Sequence, residues 1–160
     1  MRRKDREVTD PSQMEAILDA AKICRLGIHD CATAAPYVVP LNYGYEWLEG
    51  EGRTLRLVFH SAPVGRKYAL LQASPRVGFE LDANFALVPG DTACRFGCFF
   101  QSIIGWGTVR FLEEEMQKRQ AIDLLMHCQT GKTFPIESDM LSKTAVFELL
   151  AEEYAVKARQ

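Results

Sequence analysis

The sequence is dominated by short segments in which apolar and polar residues alternate, the pattern of strands that bury one face. About five such segments are present with only three helical stretches, so helices and strands do not alternate regularly along the chain. A parallel sheet needs a crossover connection, usually a helix, between successive strands, and this chain does not supply enough of them. The sequence therefore predicts a mainly β fold, an antiparallel barrel with peripheral helices.

Length and composition favour a single soluble domain covering residues 1–160. With 160 residues, 48% of them apolar, the chain can bury a core without disulfides or a metal. The five cysteines are irregularly spaced and do not match a zinc site, so we expect reduced thiols and no metal. A net charge of −2 gives no basic footprint for nucleic acid.

Targeting signals are not apparent, and we expect a cytoplasmic protein. The N-terminal residues 1–7 are mostly charged, unlike a signal peptide. The uncharged stretch at 96–109 contains three glycines and is too short to cross a bilayer. No membrane association is predicted.

Caps, breakers and periodicity predict the individual elements. A Pro within the second strand, Pro40, predicts an edge position or a bulge. Residues 37–60 are expected to form a hairpin around a turn at 49–52. Periodicity alone favours a helix for 144–157. The remaining predictions are helices at 11–22, 64–73 and 113–128, strands at 24–29, 37–47, 54–60, 76–82 and 99–112, and loops at 83–93 and 131–142.

The junction after the third predicted strand holds the most informative charges. Ser61 can cap a helix and Pro63 suits its first position, which places Arg66 and Lys67 in the first turn. Cations are unfavourable there because a helix N-terminus attracts anions. A bound phosphate would resolve the conflict, and a solvated basic pair is the alternative.

Only one histidine, His60, stands where it could serve chemistry, at the end of a strand. It is interpreted either as a catalytic acid or base or as a hydrogen-bonded structural residue. No carboxylate pair, Ser–His–Asp order or nucleotide-binding glycine fingerprint accompanies it. The run 130–133 ends like a phosphate-binding loop but has Met126 where the first glycine is needed.

Five ordered segments together carry a family pattern. They are MRRKDRE at 1–7, CRLG at 24–27, PYVVPLNYGY at 36–45, FHSA at 59–62 with GRK at 65–67, and QSIIGWG at 101–107. In this order the chain resembles the nitroimidazole-resistance (Nim) branch of the pyridoxamine 5′-phosphate oxidase-like split-barrel flavoproteins. Near the C-terminus the family often has Thr-Gly-Lys, where this chain has Ala155-Val156-Lys157.

The resemblance implies a split β-barrel homodimer with FMN held between subunits, and a final strand over 144–157. It implies a phosphate site at Ser61, Ala62, Arg66 and Lys67, with His60 near the flavin ring. It also implies that the backbone of Val39, Pro40, Leu41 and Asn42 follows the isoalloxazine edge. Ser102, Ile103 and Trp106 would come from the partner subunit.

The implied activity is that of an FMN-dependent oxidoreductase. It would pass reducing equivalents from NAD(P)H or a reduced carrier to a small acceptor such as a nitroimidazole. A flavin carries the redox chemistry itself, which accounts for the missing acid–base pair. Two alternatives remain open: a pyridoxamine-phosphate oxidase, and a non-catalytic protein that binds flavin, deazaflavin or haem.

Overall fold

The computed structural model describes residues 3–50 and 53–159. Within these ranges the chain forms seven strands and four α-helices, preceded by a single 3-10 turn at Lys4–Arg6. The helices are α1 (Pro11–Ala20), α2 (Arg66–Ala73), α3 (Glu115–Thr130) and α4 (Ser138–Ser142). The strands are β1 (Cys24–His29), β2 (Pro36–Leu41), β3 (Gly44–Leu48), β4 (Thr54–Ser61), β5 (Arg76–Val88), β6 (Gly97–Phe111) and β7 (Ala145–Arg159).

All seven strands belong to one antiparallel sheet that curls on itself. Its order is β2-β1-β5-β6-β7-β4-β3, so β2 and β3 are the two outermost strands. Only Asn42 and Tyr43 connect them in the chain, and three Cα–Cα steps span at most about 11 Å. The two ends of the sheet must therefore lie close together, which is the geometry of a split barrel. The predicted fold class is confirmed.

Side chains of the connection fasten it to the start of the fold. Tyr43 is buried, and its hydroxyl donates to the carbonyl of Leu18 in α1 at 2.7 Å. The amide of Asn42 donates to the carbonyl of Lys22 at 3.2 Å. The closing residues are thus held by α1 and the segment after it.

The core has two parts because α3 covers the outside of the sheet. The larger part fills the barrel and includes Phe59, which stacks on Phe147 with 5.3 Å between ring centroids. The smaller part lies beneath α3 and joins Val58 and Val146 to α3. Residues 145–149 are consequently all buried, and the carboxylate of Glu148 is neutralised by Arg56 and Arg110.

Several sequence predictions needed correction. Residues 37–47 form two strands, and β2 pairs with β1 while β3 pairs with β4, so the hairpin is confined to β3–β4. β5 extends through the predicted loop as far as Val88, with a register shift between Ala83 and Ala86. α4 lies within the predicted loop 131–142, and residues 51–52 of the predicted turn lie outside the described residues.

Other expectations are confirmed. Pro40 lies on an edge strand, as expected, and the pairing of β6 with β7 shifts register between Trp106 and Gly107. The final segment is a strand, as the family resemblance implied and periodicity did not. Within the described ranges, no helix combines the length and hydropathy needed to cross a membrane.

Close contact between α3 and β3 requires a glycine at position 44. A Cβ on Gly44 would stand 2.6 Å from the Cα of Leu125, which is a backbone atom that cannot rotate away. We expect Gly44→Ala to destabilise the protein by about 1–3 kcal/mol, because α3 must move off the sheet. Denaturant unfolding measures this change. Gly27→Ala is the control, since its Cβ would meet nothing closer than 3.9 Å; an equal loss in both variants would contradict the packing argument.

Candidate functional site

The connection from β4 to α2 ends in an uncapped helix N-terminus. The N-cap is Gly65, whose φ of +100° is accessible mainly to glycine, and no side chain in residues 3–50 or 53–159 caps the helix. The first helical hydrogen bond runs from the amide of Ala69 to the carbonyl of Gly65. The amides of the first turn therefore have no acceptor within the helix, as an anion-binding N-terminus requires.

This geometry corrects the predicted start of the helix. Pro63 precedes the helix by three residues and does not occupy its first position. Ser61 does not cap it either, because its hydroxyl donates to the carbonyl of Ala62 at 2.9 Å. The two cations nevertheless fall in the first turn, as predicted, with Arg66 at the first helical residue.

Arg66 has a partner that the sequence analysis missed. Its guanidinium forms an ion pair with Asp30, a residue only 3% exposed at the end of β1. The other oxygen of Asp30 accepts from the amide of Ala32 at 2.9 Å, and the guanidinium lies 4.7 Å from the ring centroid of Tyr37. The hydrogen bond from Arg66 lowers the pKa of Asp30, so this carboxylate stays charged at neutral pH. Asp30 thus holds α2 against the β1–β2 loop.

Lys67 differs from Arg66 in its surroundings. It is half-buried, burial lowers the pKa of its ammonium group, and no carboxylate in the described part of the chain counters that effect. Burying a charge without a partner is unfavourable, and a bound anion would offset this cost. Of the two cations in the predicted phosphate site, Lys67 has the more evident need for a bound anion.

His60 and Ser61 point to opposite sides of β4. Phe59 lies inside the barrel, so alternation directs His60 outwards to the side that α3 covers. Partial burial lowers the pKa of His60, and the positive charge of Lys67 lowers it further. His60 is therefore mainly neutral at pH 7, with one nitrogen able to donate and the other to accept.

The predicted ring-binding backbone lies on an edge strand that starts beside Arg66. Tyr37 contacts Arg66, and β2 then continues through Val39, Pro40 and Leu41 to Asn42. Alternation directs Val39 and Leu41 towards the core and leaves Pro40 exposed. Because β2 pairs only with β1 among the described strands, its other row of peptide groups is free to bind a ligand.

The third predicted group of site residues, on β6, lies far from the start of α2 in the same chain. Ser102 is nine residues, about 30 Å, along β6 from Phe111, which contacts Tyr68 of α2. Ile103 is buried inside its own barrel, and the guanidinium of Arg76 lies 4.0 Å from the ring centroid of Trp106. One chain does not bring Ser102 to the start of α2.

Comparison with known proteins identifies the family. A family model for pyridoxamine 5′-phosphate oxidase matches residues 10–158. The chain belongs to the pyridoxamine 5′-phosphate oxidase-like family. No curated protein matches it.

Solved structures share the fold along nearly the whole chain. A proposed 5-nitroimidazole antibiotic resistance protein from Bacteroides thetaiotaomicron is 28% identical, with 95% of this chain and 86% of that chain covered and a TM-score of 0.79. The flavocytochrome Anf3 from Azotobacter vinelandii is 22% identical (100% and 72% covered, TM-score 0.77). A FAD- and haem-binding protein from Mycobacterium smegmatis is 16% identical (97% and 74% covered, TM-score 0.76). The last two comparisons show the fold alone.

The Asp30–Arg66 ion pair should stabilise the protein in a pH-dependent way. Asp30→Asn keeps an acceptor for Ala32 but removes the charge, so we expect a lower melting temperature at pH 7. The pKa of Asp30 is lowered on folding, so the stabilisation is complete above its unfolded value of about 3.9 and disappears as the pH falls through the lower folded value. The difference between variant and wild type should therefore shrink towards pH 3.

Thermal unfolding between these pH values measures the effect. Asp139→Asn is the control, because its ion pair with Lys143 is exposed and worth little. Equal melting temperatures for Asp30→Asn and wild type at pH 7 would contradict the assignment.

Proposed function

We propose that this protein is an FMN-dependent oxidoreductase that transfers reducing equivalents to a small acceptor such as a nitroimidazole. NAD(P)H or a reduced carrier is the proposed donor. The observation that carries the proposal is the uncapped N-terminus of α2, with an unpaired, half-buried Lys67 in its first turn. Membership of the pyridoxamine 5′-phosphate oxidase-like family supports it, as does similarity to the 5-nitroimidazole resistance protein.

The residues present fit a flavin phosphate at α2. Free first-turn amides and the ammonium of Lys67 are suitable donors for a dianion. Arg66 is already neutralised by Asp30, so we assign it a supporting role in which it positions the first turn of α2. Ser61 and Ala62, in the connection to α2, remain proposed neighbours of the phosphate.

An extended ligand could continue from the phosphate site along β2. Arg66 and Tyr37 meet at the beginning of that strand, and the free backbone edge runs from there to Asn42. Peptide groups on such an edge can donate to and accept from the polar rim of a flat heterocycle. When bound, FMN would supply hydride and electron transfer, while the protein holds and orients it.

His60 is assigned a role towards the reacting molecule. A mainly neutral imidazole can donate a hydrogen bond or accept a proton without carrying a charge into a partly apolar setting. We propose that His60 holds the acceptor or moves a proton to it. His60→Ala should then slow turnover more than it weakens FMN binding.

A homodimer is part of the proposal. The β5–β6 hairpin exposes a set of large apolar side chains, and contiguous patches of this kind mark interfaces. They are Phe85, Leu87, Phe96, Phe99 and Ile104. A second copy would cover them and could bring Ser102 and Trp106 to the partner's α2.

Lys67→Met is the direct test of the phosphate assignment. We expect it to weaken FMN binding by about tenfold to a hundredfold, because a charge-assisted hydrogen bond is lost. Riboflavin, which lacks the phosphate, should bind wild type and variant about equally. Fluorescence-quenching titration measures both ligands, and Lys143→Met, at the residue that follows α4, is the control. Equal losses for FMN and riboflavin would refute a phosphate contact.

The purified protein should also form a dimer. Light scattering at micromolar concentration should give twice the 18.1 kDa chain mass. Phe99→Glu should shift the mass towards that of the monomer, because it places a charge in the apolar patch. A monomeric wild type would overturn the dimer and the shared site.

Absorbance spectra test the chemistry itself. Under argon, NAD(P)H should bleach the flavin band of the loaded protein, and a nitroimidazole should restore it. A haem band in place of the flavin band would favour a haem-binding protein. Restoration only by oxygen, with turnover of pyridoxamine 5′-phosphate, would favour the oxidase.

A further inference from the structure

A cavity opens on the outside of the sheet near the start of β4, at the opposite end of that strand from His60. Its volume is about 270 Å³. The wall comes from β3, β4, β6 and β7, from the residue that follows β6, and from α3. The residues that define it here are Leu48, Arg56, Arg110, Leu112, Gln120 and Glu148.

This cavity is separate from the proposed flavin site. Arg56 lies four residues, about 13 Å, along β4 from His60. Between these two residues, α3 packs on Val58 and closes off the outer side of the strand. Pockets for drug-sized ligands begin at about 300 Å³, so the cavity is also too small for a flavin with its ribityl phosphate.

A buried carboxylate in the wall holds two guanidinium groups. The side chain of Glu148 is 3% exposed, and one of its oxygens accepts from Nε of Arg56 at 2.6 Å. The other oxygen accepts from Nε of Arg110 at 2.8 Å. Arg110 also lies directly opposite Glu148 in the pairing of β6 with β7. Both guanidinium groups are therefore fixed in place before any ligand binds.

The wall carries more positive than negative charge. Arg56 and Arg110 face a single carboxylate, that of Glu148, among the described residues that line the cavity. Glu46 also pairs with Arg56, but it stands outside the wall and its side chain is 40% exposed. Nη2 of Arg56 and Nη1 of Arg110 have no acceptor in the described part of the chain. These N–H groups can bind a further anion.

Leucines next to the guanidinium groups add apolar surface. Leu112 is buried and Leu48 is 37% exposed, so both can contact a hydrocarbon group inside the cavity. A protein cavity of roughly 150 Å³ binds benzene, so 270 Å³ accommodates a chain of about four to six carbons together with its carboxylate. The wall therefore suits a small molecule with one negative charge and a short apolar chain.

We propose that this cavity binds a short-chain aliphatic monocarboxylate. The carboxylate lies between Arg56 and Arg110 and accepts charge-assisted hydrogen bonds from both. The chain contacts the leucines and is stabilised by its removal from water. This site goes beyond the proposed oxidoreductase, because neither a flavin nor His60 takes part in the binding.

Butyrate is the probe, and 1-butanol is its uncharged counterpart. We expect butyrate to bind flavin-free and FMN-loaded protein alike, and 1-butanol to bind at least about tenfold more weakly because it lacks the charge. Titration followed by the NMR signals of the Gln120 carboxamide measures both affinities. Equal affinities would overturn the proposal. Displacement of butyrate by an equal concentration of chloride would also overturn it, since any anion would then pair with an exposed arginine.

A second carboxylate in the wall tests the location. Gln120→Glu should weaken butyrate at least about tenfold, because it places a negative charge beside the bound carboxylate. Met116→Glu is the matched control, since it adds the same charge to the same helix at a side chain that is 72% exposed and outside the cavity. FMN affinity should be unchanged in both variants. Similar losses of butyrate affinity in the two variants would refute the site.

Removal of one guanidinium tests the anion contact. Arg110→Met should weaken butyrate by about tenfold and change 1-butanol by less than about twofold. Arg56 still neutralises Glu148 in this variant, so we expect the fold to persist. Arg95→Met is the control, because Arg95 pairs with Asp91 on the β5–β6 hairpin, away from the cavity. An unchanged butyrate affinity in Arg110→Met would contradict the proposal.

A measurement on the wild type keeps the test independent of variant folding. Nuclear Overhauser effects should connect the methyl protons of butyrate to the methyl groups of Leu48 and Leu112. Contacts only to other methyl groups, or no binding at about 10 mM butyrate, would refute the site. FMN binding without butyrate binding would reject the cavity proposal alone, and the converse would reject the FMN site alone.

Discussion

Closure of the sheet through a two-residue connection is the constraint on which the rest of the structure depends. Asn42 and Tyr43 join the two outermost strands, and the buried Tyr43 hydroxyl binds the carbonyl of Leu18. This connection forces the sheet to curl, which encloses the main core. It also fixes the direction of β2, so that the strand begins beside Arg66 and ends at the closure. The backbone edge proposed to hold a ligand is thus a product of barrel closure.

Local sequence patterns predicted most strands because each of those strands has one face in the barrel and one face exposed. The exception is β7, where residues 145–149 are buried on both faces because α3 covers the outer one. Alternation disappears there, and helical periodicity was a chance consequence of uniform burial. β5 was predicted too short because the turn signal Pro89-Gly90-Asp91 assigned the whole of 83–93 to a loop. The strand in fact continues to Val88 across a register shift between Ala83 and Ala86, and such a bulge has no clear signal in the sequence.

The candidate site was predictable only in part, because some of its features are local in the sequence and others are not. The first-turn cations were visible locally, and family resemblance supplied their proposed ligand. Asp30 was not visible, because it stands 36 residues from its partner and no local rule links them. The ion pair with Asp30 is what distinguishes Arg66 from Lys67, and it exists only in the folded chain.

Edge strands carry a hazard as well as a binding surface, and β2 illustrates how both can coexist. An unpaired strand edge can recruit a strand from another molecule and so begin aggregation. Pro36 and Pro40 leave two of the six residues of β2 without an amide hydrogen. A foreign strand would find an interrupted row of donors, whereas a small molecule needs only a few of the remaining peptide groups. The prolines therefore let the edge of β2 bind a small ligand while they disfavour pairing with a strand of another molecule.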